Sequence, residues 1–395
     1  MRRTGTISRG IRCPIVRQGD NLAAIVTESV LSAAQEDGFA LRDKDVIAIT
    51  ESIVARAQGN YATVQDIAAD VRAKFGGGTI GVLFPILSRN RFAICLRGIA
   101  MAAEKVVLML SYPADEVGNE LVSLDAIEEA DINPYSDVLS LEQFRAAFGH
   151  PTHEFTGVDY VQYYGDIIRS AGAEVEIVFA NHAKDILPYT TKVLTCEIYN
   201  RERSKRILKK HGAELVYGLD DILTASVNGS GYNERFGLLG SNKSTEEQIK
   251  LFPHDAQDLL VAIQKGIFEA TGKHVEAMVY GDGAFKDPKG KIWELADPVV
   301  SPAYTAGLEG TPNELKLKYL ADNDFKDLQG EALQQAIADS IRAKSGSLVG
   351  NMAAQGTTPR HLTDLIGSLC DLTSGSGDKG TPIVLVQGYF DNFTD

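Results

Sequence analysis

Apolar side chains recur at helical spacing between Asn21 and Ala34, at Leu22, Ile25, Val26, Val30 and Leu31. That pattern predicts an amphipathic helix, with Asp20 placed to cap its first turn. The period then changes. Asp45 opens the unbroken apolar run Val46-Ile47-Ala48-Ile49, which reads as a short buried strand leading into Thr50-Glu51-Ser52. Helical spacing returns from Val64 to Phe75 and meets a strong stop at Gly76-Gly77-Gly78.

The middle of the chain alternates short apolar runs with amphipathic stretches. Strands are predicted over 106–110, followed by a turn at Tyr112-Pro113, over 174–180 ending at Asn181, and over 192–196 ending at Glu197. A basic helix over 201–211 and a strand over 214–217, leading to Asp220, complete this block. Such alternation suggests a mainly parallel sheet wrapped by helices. Asn181 and Glu197 then fall at the edge where sheets of this kind bind ligands. No G-x-G-x-x-G opens any of these helices, so a nucleotide site here has no fingerprint to support it.

Beyond residue 231 the texture changes again. Helices are expected over 255–270, 333–343 and 361–372, and strands over 274–280, 292–295 and 383–387. These shifts divide the chain into segments 1–78, 79–230 and 231–395, with no internal repeat.

Length and composition narrow the class. A chain of 395 residues exceeds the size at which one core stops growing, so two domains are the default expectation. The longest apolar runs are strand-length and far short of a membrane span, and no apolar signal core follows Met1-Arg2-Arg3-Thr4, which predicts a cytoplasmic protein. With 39 Lys and Arg against 53 Asp and Glu, the formal charge of −14 and the lack of a basic stripe argue against nucleic acid as a partner. Cys13, Cys95, Cys196 and Cys370 are scattered without a C-x-x-C pair, which suits buried, inert thiols better than a zinc site or a disulfide framework.

Four stretches combine polar groups with glycine at the ends of regular elements. In Glu51-Ser52-Ile53-Val54-Ala55-Arg56, a helix would bring Ser52 and Arg56 to one face, where a hydroxyl and a guanidinium can meet one phosphate. An ordinary cap followed by a solvated arginine is the competing reading. The glycine-rich run from Gly229 to Ser244, with Asn242 and Lys243 near its end, suits either an anion cradle or a plain surface loop. Asp282, in Tyr280-Gly281-Asp282-Gly283, stands where a strand end favours Mg2+ or Mn2+, whereas Asp287-Pro288-Lys289-Gly290 reads as hairpin-turn chemistry. The fourth is Thr373-Ser374-Gly375-Ser376-Gly377-Asp378-Lys379-Gly380-Thr381-Pro382. It is clamped between a helix and the last strand, which favours a ligand-cradling loop over a spacer.

The order of these motifs resembles the coenzyme F-420 gamma-glutamyl ligase family, enzymes that add glutamate to a deazaflavin phospholactate. Gly10-Ile11-Arg12-Cys13-Pro14-Ile15-Val16 with Gly19-Asp20-Asn21-Leu22 is similar to that family's opening strand, turn and helix. Asp45 to Ile49 with Ser52, Arg56 and Gly59 resembles its next element, and Gly237-Leu238-Leu239-Gly240-Ser241-Asn242 a Gly-Ile-Asp-x-Ser-Asn segment. The strand after Thr271-Gly272-Lys273 resembles the one whose end carries a metal-binding aspartate. The tail from Thr363 through Gly375–Gly377 to Gly388 resembles its nucleotide loop and final strand. The likeness covers about residues 8–75 and 231–392, and the middle block looks like an insertion. It departs from the family at Leu239, which stands in place of a metal-binding Asp, at Asp282, one position late and followed by Gly283, and at Arg56, which replaces a lysine.

The resemblance implies an α+β fold, with a mixed-sheet core built from the N- and C-terminal segments and an inserted α/β domain. It implies a GTP-dependent ligase joining L-glutamate, or a similar amino acid, to a carboxylate acceptor. Pro14, Ser52, Arg56, Asn242, Ser374, Gly375, Ser376, Gly377 and Lys379 would contact the nucleotide, and Asp282 with Asp378 would hold Mg2+ or Mn2+. It also implies a homodimer. The alternative is a non-catalytic or repurposed relative that binds a nucleotide or small metabolite.

Overall fold

The computed structural model describes the chain except residues 1–3, 155, 282–283, 287–292, 296–300, 355–360, 375–377 and 395, and describes 284–286 and 293–295 by backbone alone. It is a mixed α/β protein that divides into two compact units. One comprises 1–54, 255–286 and 293–395, and the other 55–254 with 287–292.

The first unit is built on a five-stranded sheet. Its order is Ile7–Ile11, Ile383–Gln387, Val46–Thr50, Glu276–Tyr280, Ala303–Tyr304. Ile383–Gln387 runs antiparallel to both its neighbours, whereas Val46–Thr50 and Glu276–Tyr280 are parallel. Val46, Ala48, Met278, Tyr280, Val384 and Val386 share a core with Ile366 and Cys370 of the helix Leu362–Ser374. The alternate residues Ile47, Ile49, Ala277, Val279, Ile383 and Leu385 point the other way and are equally buried. On that account the strand at 46–50 is an unbroken apolar run and shows no alternation in sequence. The helices Leu22–Glu36 and Ala256–Thr271 pack against each other, and the second also packs on strand 276–280.

The first helix begins one residue later than the sequence suggests. Asn21 is its cap, accepting a 3.2 Å hydrogen bond from the Ala24 N–H, while Asp20 turns back to accept from the Arg17 N–H at 2.7 Å. Both residues suit a cap, and the local turn decides between them.

Asp45, at the head of strand 46–50, is buried and accepts hydrogen bonds from Gln387 Nε2 at 2.6 Å and from the Arg42 N–H at 2.8 Å. Burial outweighs these bonds and lifts its carboxyl to about 6. The folded state therefore holds this proton more tightly than the unfolded chain. Ionising Asp45 costs stability progressively as pH rises from about 4 to about 6, with no further change above that. Asp45→Asn is expected to flatten this part of the pH profile of thermal unfolding; an unchanged slope relative to wild type between pH 4 and 6.5 would disprove it.

The second unit holds a six-stranded sheet in the order Leu139–Ser140, Glu174–Phe179, Lys105–Leu110, Thr79–Leu83, Lys192–Thr195, Leu215–Gly218. All neighbours are parallel except the first pair. The expectation of a mainly parallel sheet in this block holds. Helices Val64–Phe75, Phe92–Ala102 and Tyr160–Ser170 supply the larger core on one face. The other face is covered by Ala183–Ile186 and the helix Arg201–Lys210, whose Leu208 packs with Val107, Val178 and Val193. The helix at 64–75 has the predicted bounds. Thr63 and Asp66 form a reciprocal capping box, and Gly76 ends it in a left-handed conformation. A small three-stranded sheet joins Tyr61–Thr63, Gln248–Lys250 and Asn242–Lys243.

Among the described residues, no helix is long and apolar enough to cross a membrane.

Candidate functional site

Strand directions in the first unit determine what meets at one edge of its sheet. Strands 7–11, 46–50 and 276–280 run the same way and 383–387 runs against them, so Ile11, Ile383 and Ile49 lie side by side. Thr50 and Tyr280 are partners in the next register position. This edge therefore receives the chain leaving for Arg12-Cys13-Pro14, the start of the helix Glu51–Gln58, the exit of strand 276–280, and the 378–382 turn entering the last strand.

Specific bonds tie these segments together. Arg12 Nε donates to the Lys379 carbonyl at 3.2 Å, and the Thr50 N–H donates to the Pro382 carbonyl at 3.0 Å. The Thr381 hydroxyl donates to the carbonyl of Ser374, the last residue of helix 362–374. A Cβ on Gly10 would come within 3.0 Å of Thr381, so the absence of a side chain lets strand and turn approach.

Beside these contacts lies an open cleft of about 820 Å3, within the range of ligand sites. Arg9, Arg12 and Pro14 line one side, Ser29 and Ser32 of helix 22–36 another, and Thr381 the end. The Arg9 guanidinium sits 4.5 Å over the Phe39 ring and donates to Gln387 Oε1 at 2.6 Å. The cleft carries two guanidiniums and several hydroxyls together with the carboxylates of Glu28, Glu36 and Asp37, so it presents both donors and acceptors to a polar ligand. Cys13 also lines it, but partial burial raises its thiol, which leaves it a poor nucleophile.

Of the residues singled out from sequence, Pro14, Ser52, Ser374, Asp378 and Lys379 all belong to segments at this edge. Ser374 is buried, while Ser52, Asp378 and Lys379 are exposed. Asp282 follows strand 276–280 by two residues and, like Gly375, Ser376 and Gly377, lies outside the described residues. Tyr280, at that strand's end, is buried, and its hydroxyl has no hydrogen-bond partner among the described residues. The Ser374 hydroxyl lies near enough to influence it, and burial raises the phenol well above its ordinary range.

Arg56 and Asn242 belong to the second unit. Arg56 is exposed on helix 51–58, four residues after Ser52 and on the same face. Asn242 opens the two-residue strand that pairs with Lys250, and its amide donates to the Gly240 carbonyl at 3.4 Å. In the surrounding glycine-rich run, two glycines serve internal packing. A Cβ on Gly237 would fall 2.4 Å from the Ile222 carbonyl, and one on Gly240 would enter the Phe252 ring. Leu239 is buried in the apolar core of this unit. The flanks of the expected 287–290 turn, Ala284–Lys286 and Trp293–Leu295, pair antiparallel, and the turn itself is outside the described residues.

The sequence reading missed Arg12, Thr381 and the Ser29–Ser32 face. Arg12 carried a usable signal, since an arginine two residues before Pro14 at a strand exit is placed like the residues that were chosen. The serines of helix 22–36 carried none, because solvated serines are common on any amphipathic helix.

All four cysteines are free. Burial raises the thiols of Cys95, Cys196 and Cys370 as well, consistent with inert packing groups.

The sequence matches the model of a ligase family over residues 10–388, almost the whole chain. That family is F420-0:gamma-glutamyl ligase, and the chain belongs to it. A search of curated proteins finds no match.

Proposed function

We propose that this chain is a GTP-dependent amide ligase that joins L-glutamate, or a similar amino acid, to the carboxylate of a small-molecule acceptor. The observation that carries the reading is the meeting, at one sheet edge, of Arg12, Pro14, Ser52, Ser374 and the 378–382 turn beside a polar cleft. Membership of a ligase family supports it.

In the proposed reaction the acceptor carboxylate takes the γ-phosphoryl group of GTP, giving an acyl phosphate and GDP. The amino group of glutamate then attacks the acyl carbon. Inorganic phosphate leaves, the amide forms, and the ammonium protons pass to solvent. Both steps move charge between anions, so fixed cations and N–H donors lower the barrier. Arg12 at the cleft and Lys379 at the turn would hold phosphate oxygens, with Ser52 as a further donor. Arg56, where the family has lysine, would grip phosphate as a fork rather than as a point charge.

Carboxylates at this edge suit Mg2+ or Mn2+, which prefer hard oxygen donors. Asp378 is exposed on the turn; the family resemblance implies that it and Asp282, which lies outside the described residues, would hold the ion. When bound, the ion supplies neutralisation of phosphate charge. Leu239 cannot join them.

We further propose that the protein works in the cytoplasm as a homodimer. The second reading, a relative that binds nucleotide without turnover, is favoured by the burial of Leu239 in an apolar core, where the family has a metal-binding Asp.

Thermal unfolding in the presence of ligands tests the main reading. A ligand at a hundred times its dissociation constant stabilises the folded state by about 2.7 kcal/mol. GTP with Mg2+ is expected to raise the midpoint by several degrees, and glutamate to add to that shift. A midpoint unmoved by GTP or ATP, with or without metal, would remove the nucleotide from the account.

A further inference from the structure

The second unit carries a crevice of its own, lined by none of the residues assigned above. Its strands run outward from Thr79–Leu83 through 105–110 to 174–179, and then return to 192–195 and 215–218 on the other side of 79–83. Strand order reverses between 79–83 and 192–195. In open parallel sheets, ligands bind outside the carboxyl ends of the strands at such a reversal. A crevice of about 240 Å3 opens there, lined by Phe84 and Ser111 from two strand ends and by Glu197, Arg203 and Ser204 from the return strand and following helix.

Most polar groups around it are already used. Asp115 accepts from the N–H groups of Leu87, Val117 and Asn119 at 2.8 to 3.0 Å. Glu116 accepts from the N–H groups of Ile198, Tyr199 and Asn200. Asn181 lines the crevice at the sheet edge, as the sequence placed it, with its amide spent on the backbone of Tyr112 and Pro134. Glu197 differs. It is 5% exposed, its Oε1 accepts from the Ser204 hydroxyl at 2.9 Å, and its Oε2 is buried without a hydrogen-bond partner among the described residues. A buried carboxyl oxygen left unpaired costs free energy that a ligand N–H recovers.

We propose that this crevice binds a small organic amine, whose ammonium group donates to Glu197 Oε2. Three carboxylates, Asp115, Glu116 and Glu197, line the crevice against one guanidinium, Arg203, so the local charge favours a cation. The volume is below the range of drug-sized sites, which excludes a dinucleotide and suits a compact metabolite. The proposal stands independently of the ligase reading.

A pH signature accompanies it. Burial raises the Glu197 carboxyl to about 7; the Ser204 hydroxyl lowers it, the charge of Glu116 raises it and Arg203 lowers it. The adjacent Cys196 thiol is neutral, pushed up by its own burial. Glu197 must ionise to hold an ammonium, so amine affinity is expected to rise about tenfold between pH 6 and pH 8, with proton release on binding near pH 7.

Saturation-transfer NMR on the full chain tests this with three probes: ethylammonium, β-alanine and propionate. Both amines are expected to bind and propionate is not. Glu197→Gln, which keeps the shape and the Ser204 contact, should weaken both amines at least tenfold and abolish the pH dependence. Ser111→Leu narrows the crevice while leaving the carboxyl in place, and should weaken them equally. It carries the test if Glu197→Gln does not fold. Propionate binding as well as the amines, no amine binding at millimolar concentration, or amine binding unchanged in the variant that folds would overturn the proposal.

Discussion

Asp282→Ala is expected to slow glutamate-dependent phosphate release from GTP by on the order of a hundredfold or more, assayed with a deazaflavin phospholactate as acceptor. Removal of one group that stabilises developing charge in a transition state typically costs that much. The effect should fall mainly on kcat, since nucleotide contacts from Arg12, Lys379 and the 374–379 turn would persist. Excess Mg2+ should not restore the rate, because the variant lacks the donor and not the ion. Equal rates in wild type and variant would take Asp282 out of the reaction and strengthen the reading of a binding protein without turnover.

Leu96→Ala is expected to destabilise the protein by about 3 kcal/mol. Leu96 is fully buried in the helix Phe92–Ala102, inside the largest apolar cluster of the second unit. Truncation removes its apolar contacts and leaves a cavity that a close-packed surround cannot fill. Urea unfolding followed by far-UV circular dichroism would report a clearly lower midpoint. A change under 1 kcal/mol would mean that the core relaxes around the gap and is less tightly packed than described.

That same helix marks where sequence reading ran out. Nine of its eleven residues are buried, among them Phe92, Ile94, Leu96, Ile99 and Ala102, so it has no polar face and hence no helical period to detect. The helix at 64–75, by contrast, was legible to the residue, because a capping threonine, an amphipathic stripe and a terminal glycine all agree. Strands 46–50 and 383–387 were readable as apolar runs. Their partners were not, since strand order depends on long-range pairing that no local pattern records.

The candidate site was half legible for a related reason. Element ends and a glycine-bordered turn pointed to Ser52 and the 373–382 segment, the family resemblance to Pro14, and the sheet's directions bring Pro14, Ser52 and the 378–382 turn to one edge. In the run from 229 to 244 glycine left two readings open. A residue without a side chain serves an anion or a neighbouring ring equally well, and at Gly240 the neighbour is Phe252. Glu197 was visible as a polar residue at a strand end. Its unpaired oxygen emerges only once Ser204, Glu116 and the backbone around it are in place.

The central claim is that the edge formed by strands 7–11, 46–50 and 383–387 holds nucleotide phosphates. Calorimetric titration of GTP with Mg2+ into wild type and Lys379→Glu tests it most directly. Saturable binding at one site per chain in wild type, weakened at least tenfold by the reversed charge, is the result expected. Full-strength binding in the variant, or no heat of binding in wild type, would contradict it.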